Sequence, residues 1–110
     1  MDKPIPASAQ RERVRKAVPA LVAYTEEVVY RDLWERTDLS NRDRSLVTVA
    51  ALAATYRPEQ LKVHIGRAPE NGLTAEEIAG AITHLAFHAG WPAAMTAAQV
   101  LTEVLEACDA

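Results

Sequence analysis

Apolar residues along this chain recur at helical spacing, in stretches broken by short polar turns. Residues 8–18 are rich in charge, and Val14, Ala17 and Val18 give them only a weak apolar face, which predicts a short exposed helix. Pro19 suits a first helical position, and Leu21, Val22, Tyr24, Val28 and Val29 follow at mixed helical spacing up to Tyr30. Leu33 and Trp34 predict a brief helical or turn segment ending near Arg36 and Thr37. Ser40, with Asp43 three residues later, reads as a helix cap. The helix it starts, Asn41 to Tyr56, is apolar nearly all round after its first turn, as expected of a central helix buried on every side. Pro58 opens a further helix that Gly72 closes. Thr74 and Glu77 form a second capping signal, for a helix that runs to Ala89 and stops at Gly90. Pro92 opens the last helix, which extends to about Ala107.

The helix from Ala75 to Ala89 carries two faces. Ile78, Ile82, Leu85 and Ala89 form one stripe. At about 100° per residue, Glu77, Ala81, His84 and His88 fall within about 60° of each other on another. Two such faces in so short a chain point to a subunit interface or an enclosed pocket on the second. The expected fold is therefore all-α: a single domain over 1–110, about six helices, a loose arm at 1–7 with two prolines, and an obligate oligomer.

Composition narrows the function. Of 110 residues 21 are Ala, which favours helix and lets helices approach closely. The net charge is −3 with basic and acidic residues interspersed, which argues against nucleic acid or an anionic membrane as partner. The longest uninterrupted apolar run, Val49 to Ala54, is too short to span a bilayer. The first residues show no apolar signal core, and one cysteine cannot form an internal disulfide, so the cytoplasm is the expected compartment.

Few residues are left to carry chemistry. His64 lies on a helical line with Arg57, Gln60, Leu61, Arg67 and Ala68. It reads either as a satisfied polar residue or as a proton donor or oxyanion partner, since imidazole titrates near neutrality. His84 and His88 are four apart, a spacing that can hold a metal on one helix face. No Glu follows the first His and no Cys lies near, so no metal is expected. One of the pair is expected to line a pocket or interface and the other to make a structural hydrogen bond. Arg42 and Arg44 flank Asp43 and serve either as salt-bridge partners or as a planar fork for a substrate carboxylate. Trp91 either packs at a helix corner or walls a pocket. Cys108, beside Asp109, has no partner thiol and sits in negative surroundings, so no redox role is expected. The Ala and Gly positions Gly80, Ala81, Ala93, Ala94, Ala97 and Ala98 are expected to let helices of different subunits approach closely.

Four segments carry a resemblance. They are Asn41-Arg42-Asp43-Arg44-Ser45-Leu46-Val47-Thr48-Val49-Ala50-Ala51-Leu52, Glu59-Gln60-Leu61-Lys62-Val63-His64, Glu70-Asn71-Gly72-Leu73-Thr74-Ala75-Glu76-Glu77-Ile78 and Ile82-Thr83-His84-Leu85-Ala86-Phe87-His88-Ala89-Gly90-Trp91-Pro92. Together they resemble the carboxymuconolactone decarboxylase family over roughly residues 19–105. The resemblance implies the alkylhydroperoxidase D-like helical fold and assembly into trimers or into hexamers built as trimers of dimers. The peroxidase branch of the family uses a Glu, a Cys-x-x-Cys pair and a His. Placing that His on His64 puts the cysteines at Arg57 and Gln60 and the Glu at Ser45, so the redox set is missing. The decarboxylase branch lacks the cysteines and keeps histidines that correspond to His64 and His84. A departure is His88, where a Tyr is common among relatives.

The decarboxylase resemblance implies cofactor-independent loss of CO2 from a carboxylated lactone. The unsaturated lactone is its own electron sink, so the reaction asks three things of the protein: a cation for the spectator carboxylate, a donor for the developing oxyanion, and an acid for the carbon. His64 is expected as acid or donor and His84 as its partner. Arg42, Arg44 or Arg57 is expected to bind carboxylate, and Tyr56, His88 and Trp91 to line the pocket. A related enzyme acting on another lactone or acid, and a non-catalytic oligomeric binding protein, are the competing readings.

Overall fold

A computed structural model describes residues 7–109, and every element among them is helical. Six α-helices are present among the described residues: α1 (Ala7–Arg15), α2 (Pro19–Tyr24), α3 (Asn41–Ala54), α4 (Pro58–Arg67), α5 (Ala75–His88) and α6 (Trp91–Asp109). Of the arm expected at 1–7, only Ala7 lies within the described residues, and it begins α1. None of the helices described is long and apolar enough to cross a membrane. The chain divides into two compact units, Met1–Asp38 and Leu39–Ala110.

In the first unit α2 runs into a π-helical turn, Thr25–Tyr30, closed by the Arg31 amide donating to the Glu26 carbonyl at 3.1 Å. The wider turn explains the mixed spacing of Val28 and Val29, which a single α-helical period does not fit. Arg15 ties α1 to this turn, with Nη2 2.8 Å from Glu12 and 2.9 Å from Glu26. The Arg11 guanidinium lies 4.9 Å from the centre of the Tyr30 ring. A 3₁₀ turn, Leu33–Glu35, follows.

The second unit is built around α3, which packs against α4, α5, α6 and a 3₁₀ turn at Ala68–Asn71. Helices α4 and α5 each pack on α6 as well. Val49 and Ala53 of α3, Leu61 and Ile65 of α4, Leu73, Ile78 and Ile82, and Ala94, Ala97, Val100 and Leu101 of α6 form its core. The central place of α3 agrees with the sequence, but its enclosure does not. The line Ser45, Val49, Ala53 is buried together with Arg44 beside it, while Val47 on the far side is 58% exposed and Ala51 and Ala54 are exposed too. One chain of this size has too little interior to surround a helix completely.

Helix ends follow the punctuation of the sequence, with two refinements. Helix α4 stops at Arg67 and tightens into the 3₁₀ turn because Pro69 has no amide hydrogen to continue the α ladder. Gly72 then takes φ +84°, the Leu73 amide donates to the Ala68 carbonyl and the Gly72 amide to that of Pro69, a Schellman closure. The same closure ends α3, where the Arg57 amide reaches the Leu52 carbonyl and the Tyr56 amide that of Ala53. There the left-handed position, φ +59°, is filled by Tyr56 rather than glycine.

Both predicted caps form. Ser40 Oγ accepts from the Asp43 amide at 3.1 Å, and Thr74 Oγ1 accepts from the Glu77 amide at 3.1 Å. Glu77 Oε1 in turn accepts from the Thr74 amide at 3.0 Å, while its Oε2 holds Arg42 of α3. One carboxylate thus caps α5 and clamps it to α3. Glu77→Ala is expected to cost about 1–2 kcal/mol, as loss of a cap and of a half-exposed ion pair. Glu77→Gln keeps an oxygen for the cap and should cost less than half of that. Urea titration of the two variants checks this, and equal losses would place all the effect in the ion pair.

Candidate active site

His64 stands on α4, two turns from its start, and is half-buried. Burial, and secondarily the charge of Arg67 one turn on, hold its imidazole below the ordinary value of 6.5. The ring is thus neutral at pH 7, a hydrogen-bond donor through one nitrogen and an acceptor through the other. Arg57 precedes α4 on the same line two turns back and is exposed. Arg67 was not singled out in the sequence as a functional residue. The signal for it is the three-residue spacing from His64, which places both on one helix face.

His84 and His88 lie together on the last turns of α5, both exposed. Their rings stack with centroids 4.2 Å apart and planes 21° from parallel. His88 Nδ1 lies 3.1 Å from the His84 carbonyl oxygen. Phe87, 75% exposed, meets Trp91 edge to face at 5.6 Å, across the break at Gly90. Gly90 has φ +109°, which lets α5 end and α6 begin at once. His84, Phe87, His88, Trp91 and the exposed Met95 make one surface strip where α5 hands over to α6. Neither Phe87 nor Met95 was given a role in the sequence reading, although Phe87 sits one turn before Trp91.

The remaining candidates are dispersed. Arg42 is engaged by Asp43 at 2.9 Å and by Glu77. Arg44, one residue beyond Asp43, is 9% exposed on the inner side of α3 beside the buried Ser45. Tyr56 is exposed at the α3–α4 corner. Among the described residues no hydrogen bond or ring contact joins His64 to His84 or His88; the structure brings the second pair together and leaves the first histidine on another helix.

Residues 19–103 match the carboxymuconolactone decarboxylase family. The chain belongs to that family. Over 75 residues this family member is 36% identical to a protein of Acinetobacter baylyi (strain ATCC 33305 / BD413 / ADP1), 4-carboxymuconolactone decarboxylase. The matched stretch covers 68% of this chain and 56% of that relative, so the chain spans just over half of the relative's length. In this member of the family the first turn of α4 reads Arg57-Pro58-Glu59-Gln60, with no thiol, and Cys108 lies exposed in the last turn of α6.

Proposed function

We propose that this protein decarboxylates a carboxylated, unsaturated lactone of the 4-carboxymuconolactone type, with no organic cofactor. The observation that carries the reading is His64: half-buried, held neutral, and flanked along its helix by Arg57 and Arg67, in a chain 36% identical to a relative of that activity.

In the reaction the C–CO2 bond breaks and its electron pair moves through the ring C=C into the lactone carbonyl. CO2 leaves, and the resulting dienolate is protonated on carbon. A neutral His64 donates a hydrogen bond to the oxyanion without carrying a charge of its own in the ground state, and it relays a proton to carbon by giving the hydrogen of one ring nitrogen as the other takes one from water. His84 acts as its partner in proton delivery. Arg57, lying on the His64 line, is the better placed cation for the spectator carboxylate, because Arg42 already serves Asp43 and Glu77. Tyr56, His88 and Trp91 supply pocket wall. The test is direct: incubate the protein with 4-carboxymuconolactone and with a panel of other lactone acids, and follow CO2 release and ultraviolet absorbance. Turnover of another acid alone assigns a related lactone-transforming enzyme, and no turnover of any acid removes the catalytic reading.

The proposed site is completed by assembly. Val47, Ala51 and Ala54 of α3 and the Phe87–Trp91–Met95 strip leave apolar surface uncovered in one chain, more than scattered single residues account for. A closed homotrimer or a hexamer covers it. Sedimentation at micromolar concentration is expected to show that assembly, and Val47→Glu to shift it to monomer. A wild-type monomer at these concentrations sinks the idea.

A further inference from the structure

Helix α4 has two flanks. Leu61, Ile65 and, just past its end, Ala68 form its buried line. On one side of that line Lys62 reaches Glu103 of α6 at 3.5 Å. His64 and Arg67 lie together on the other side, about 60° apart around the helix and about 4.5 Å apart along it. Both are half-buried. Arg57 shares their face but is exposed and about 10 Å further back along the axis. Arg67 is close enough for its charge to bear on the His64 ring, second only to burial. A half-buried guanidinium acts through less water than an exposed one, so Arg67 exerts the stronger field at His64 and Arg57 the weaker. A permanent cation beside a neutral donor is the arrangement that suits an oxygen gaining negative charge.

We propose that Arg67 is a further catalytic residue of the decarboxylation, its guanidinium donating together with the His64 ring to the lactone carbonyl oxygen as that oxygen becomes an oxyanion. This role rests on the reaction proposed above. The negative charge that begins on the leaving carboxylate ends on the carbonyl oxygen, and Arg67 adds no atom or electron to the step. Before the C–CO2 bond breaks that oxygen carries only a partial charge, so the guanidinium gains most of its interaction in the transition state. Arg67 therefore acts chiefly on kcat. Arg57 faces a spectator carboxylate whose charge does not change, and it acts chiefly on KM.

The experiment compares steady-state rates of the full chain on 4-carboxymuconolactone, or on whichever acid of the panel the wild type turns over. Arg67→Gln is expected to lower kcat by about 10²–10³-fold, the range for losing one oxyanion donor, with KM within about twofold of wild type. Arg67→Lys keeps the charge without the planar fork and recovers about a tenth of the wild-type kcat. The acid limb of the rate profile moves up toward 6.5 in Arg67→Gln, because His64 loses a charge that opposes its protonation, and stays in place in Arg67→Lys. Lys62→Gln removes a cation from the other flank of the same helix and leaves both constants unchanged. Circular dichroism confirms that each variant is helical, and Arg67→Met is read in place of the glutamine variant should that one fail to fold. Wild-type kcat in Arg67→Gln, or an equal loss in Lys62→Gln, overturns the role of Arg67 and leaves the reaction standing. A wild type that turns over no acid removes the reaction, and this role with it.

Discussion

His64→Ala lowers kcat/KM on the lactone substrate by about 10²–10⁴-fold, the usual range for removing a group that moves a proton in the transition state. The fold survives, because alanine is the best helix former and the ring is only half-buried. The acid limb of the wild-type rate profile is set by the same ring and falls below pH 6.5, since burial and then Arg67 depress its basicity. Stability carries a matching signature. Burial penalises the imidazolium in the folded chain more than in the unfolded one, so the unfolded chain takes up this proton first as pH falls from 6.5. The contribution of the neutral ring is whole above 6.5 and is lost as pH drops through the lower folded value. His64→Ala removes that part of the pH dependence along with the activity. A variant with normal turnover and an unchanged acid limb assigns His64 to structure alone.

Ala97→Glu abolishes the cooperative fold of the second unit. Ala97 is 1% exposed and lies within the core formed by α3, α4, α5 and α6. A carboxylate there has no partner and no space, a combination that costs on the order of 3–5 kcal/mol. That is a large share of the roughly 5–15 kcal/mol that separates folded from unfolded domains. The sequence placed Ala97 on a subunit contact together with Ala94. Both are instead inside one chain, because α6 packs against α3, α4 and α5 at once and small side chains are needed on its inner face. Gly80 is exposed, and nothing beyond its own stretch of helix backbone lies within 4 Å of where its Cβ would stand, so it is not a close-approach position within the chain. Thermal denaturation separates the cases: loss of the transition agrees with core burial, and a folded monomer with a wild-type midpoint points back to an interface.

Much of the helical plan was legible because its signals are local. Ser40, Thr74 with Glu77, Pro58 and Gly90 mark helix ends through their own backbone and side-chain chemistry and act where the sequence put them, whereas Gly72 closes the 3₁₀ turn that follows α4 and not α4 itself. What was not legible depends on distant or collective contacts. The Arg42–Glu77 pair joins residues 35 apart, and nothing in either neighbourhood announces the other. The one-sided burial of α3 reflects how much surface one chain can cover, which periodicity does not encode. At the candidate site, spacing alone brought His84 and His88 together, but their stacking and the nitrogen that donates came from geometry. The neutrality of His64 needed the packing around α4, and the role of Arg67 followed from it.

Tyr56 sets a limit on how this chain can vary. A left-handed backbone costs a residue with a Cβ about 1–2 kcal/mol, and at φ +59° the corner between α3 and α4 carries that cost in every folded molecule. The substitution profile at position 56 is therefore inverted relative to an ordinary exposed site. Glycine and asparagine, poor choices in most helices, fit here, whereas valine, isoleucine and proline, which resist or forbid positive φ, break the turn that delivers Arg57 and α4. An exposed aromatic ring at such a corner is held by something other than backbone preference, and exchange for glycine separates what the ring does from what the turn does.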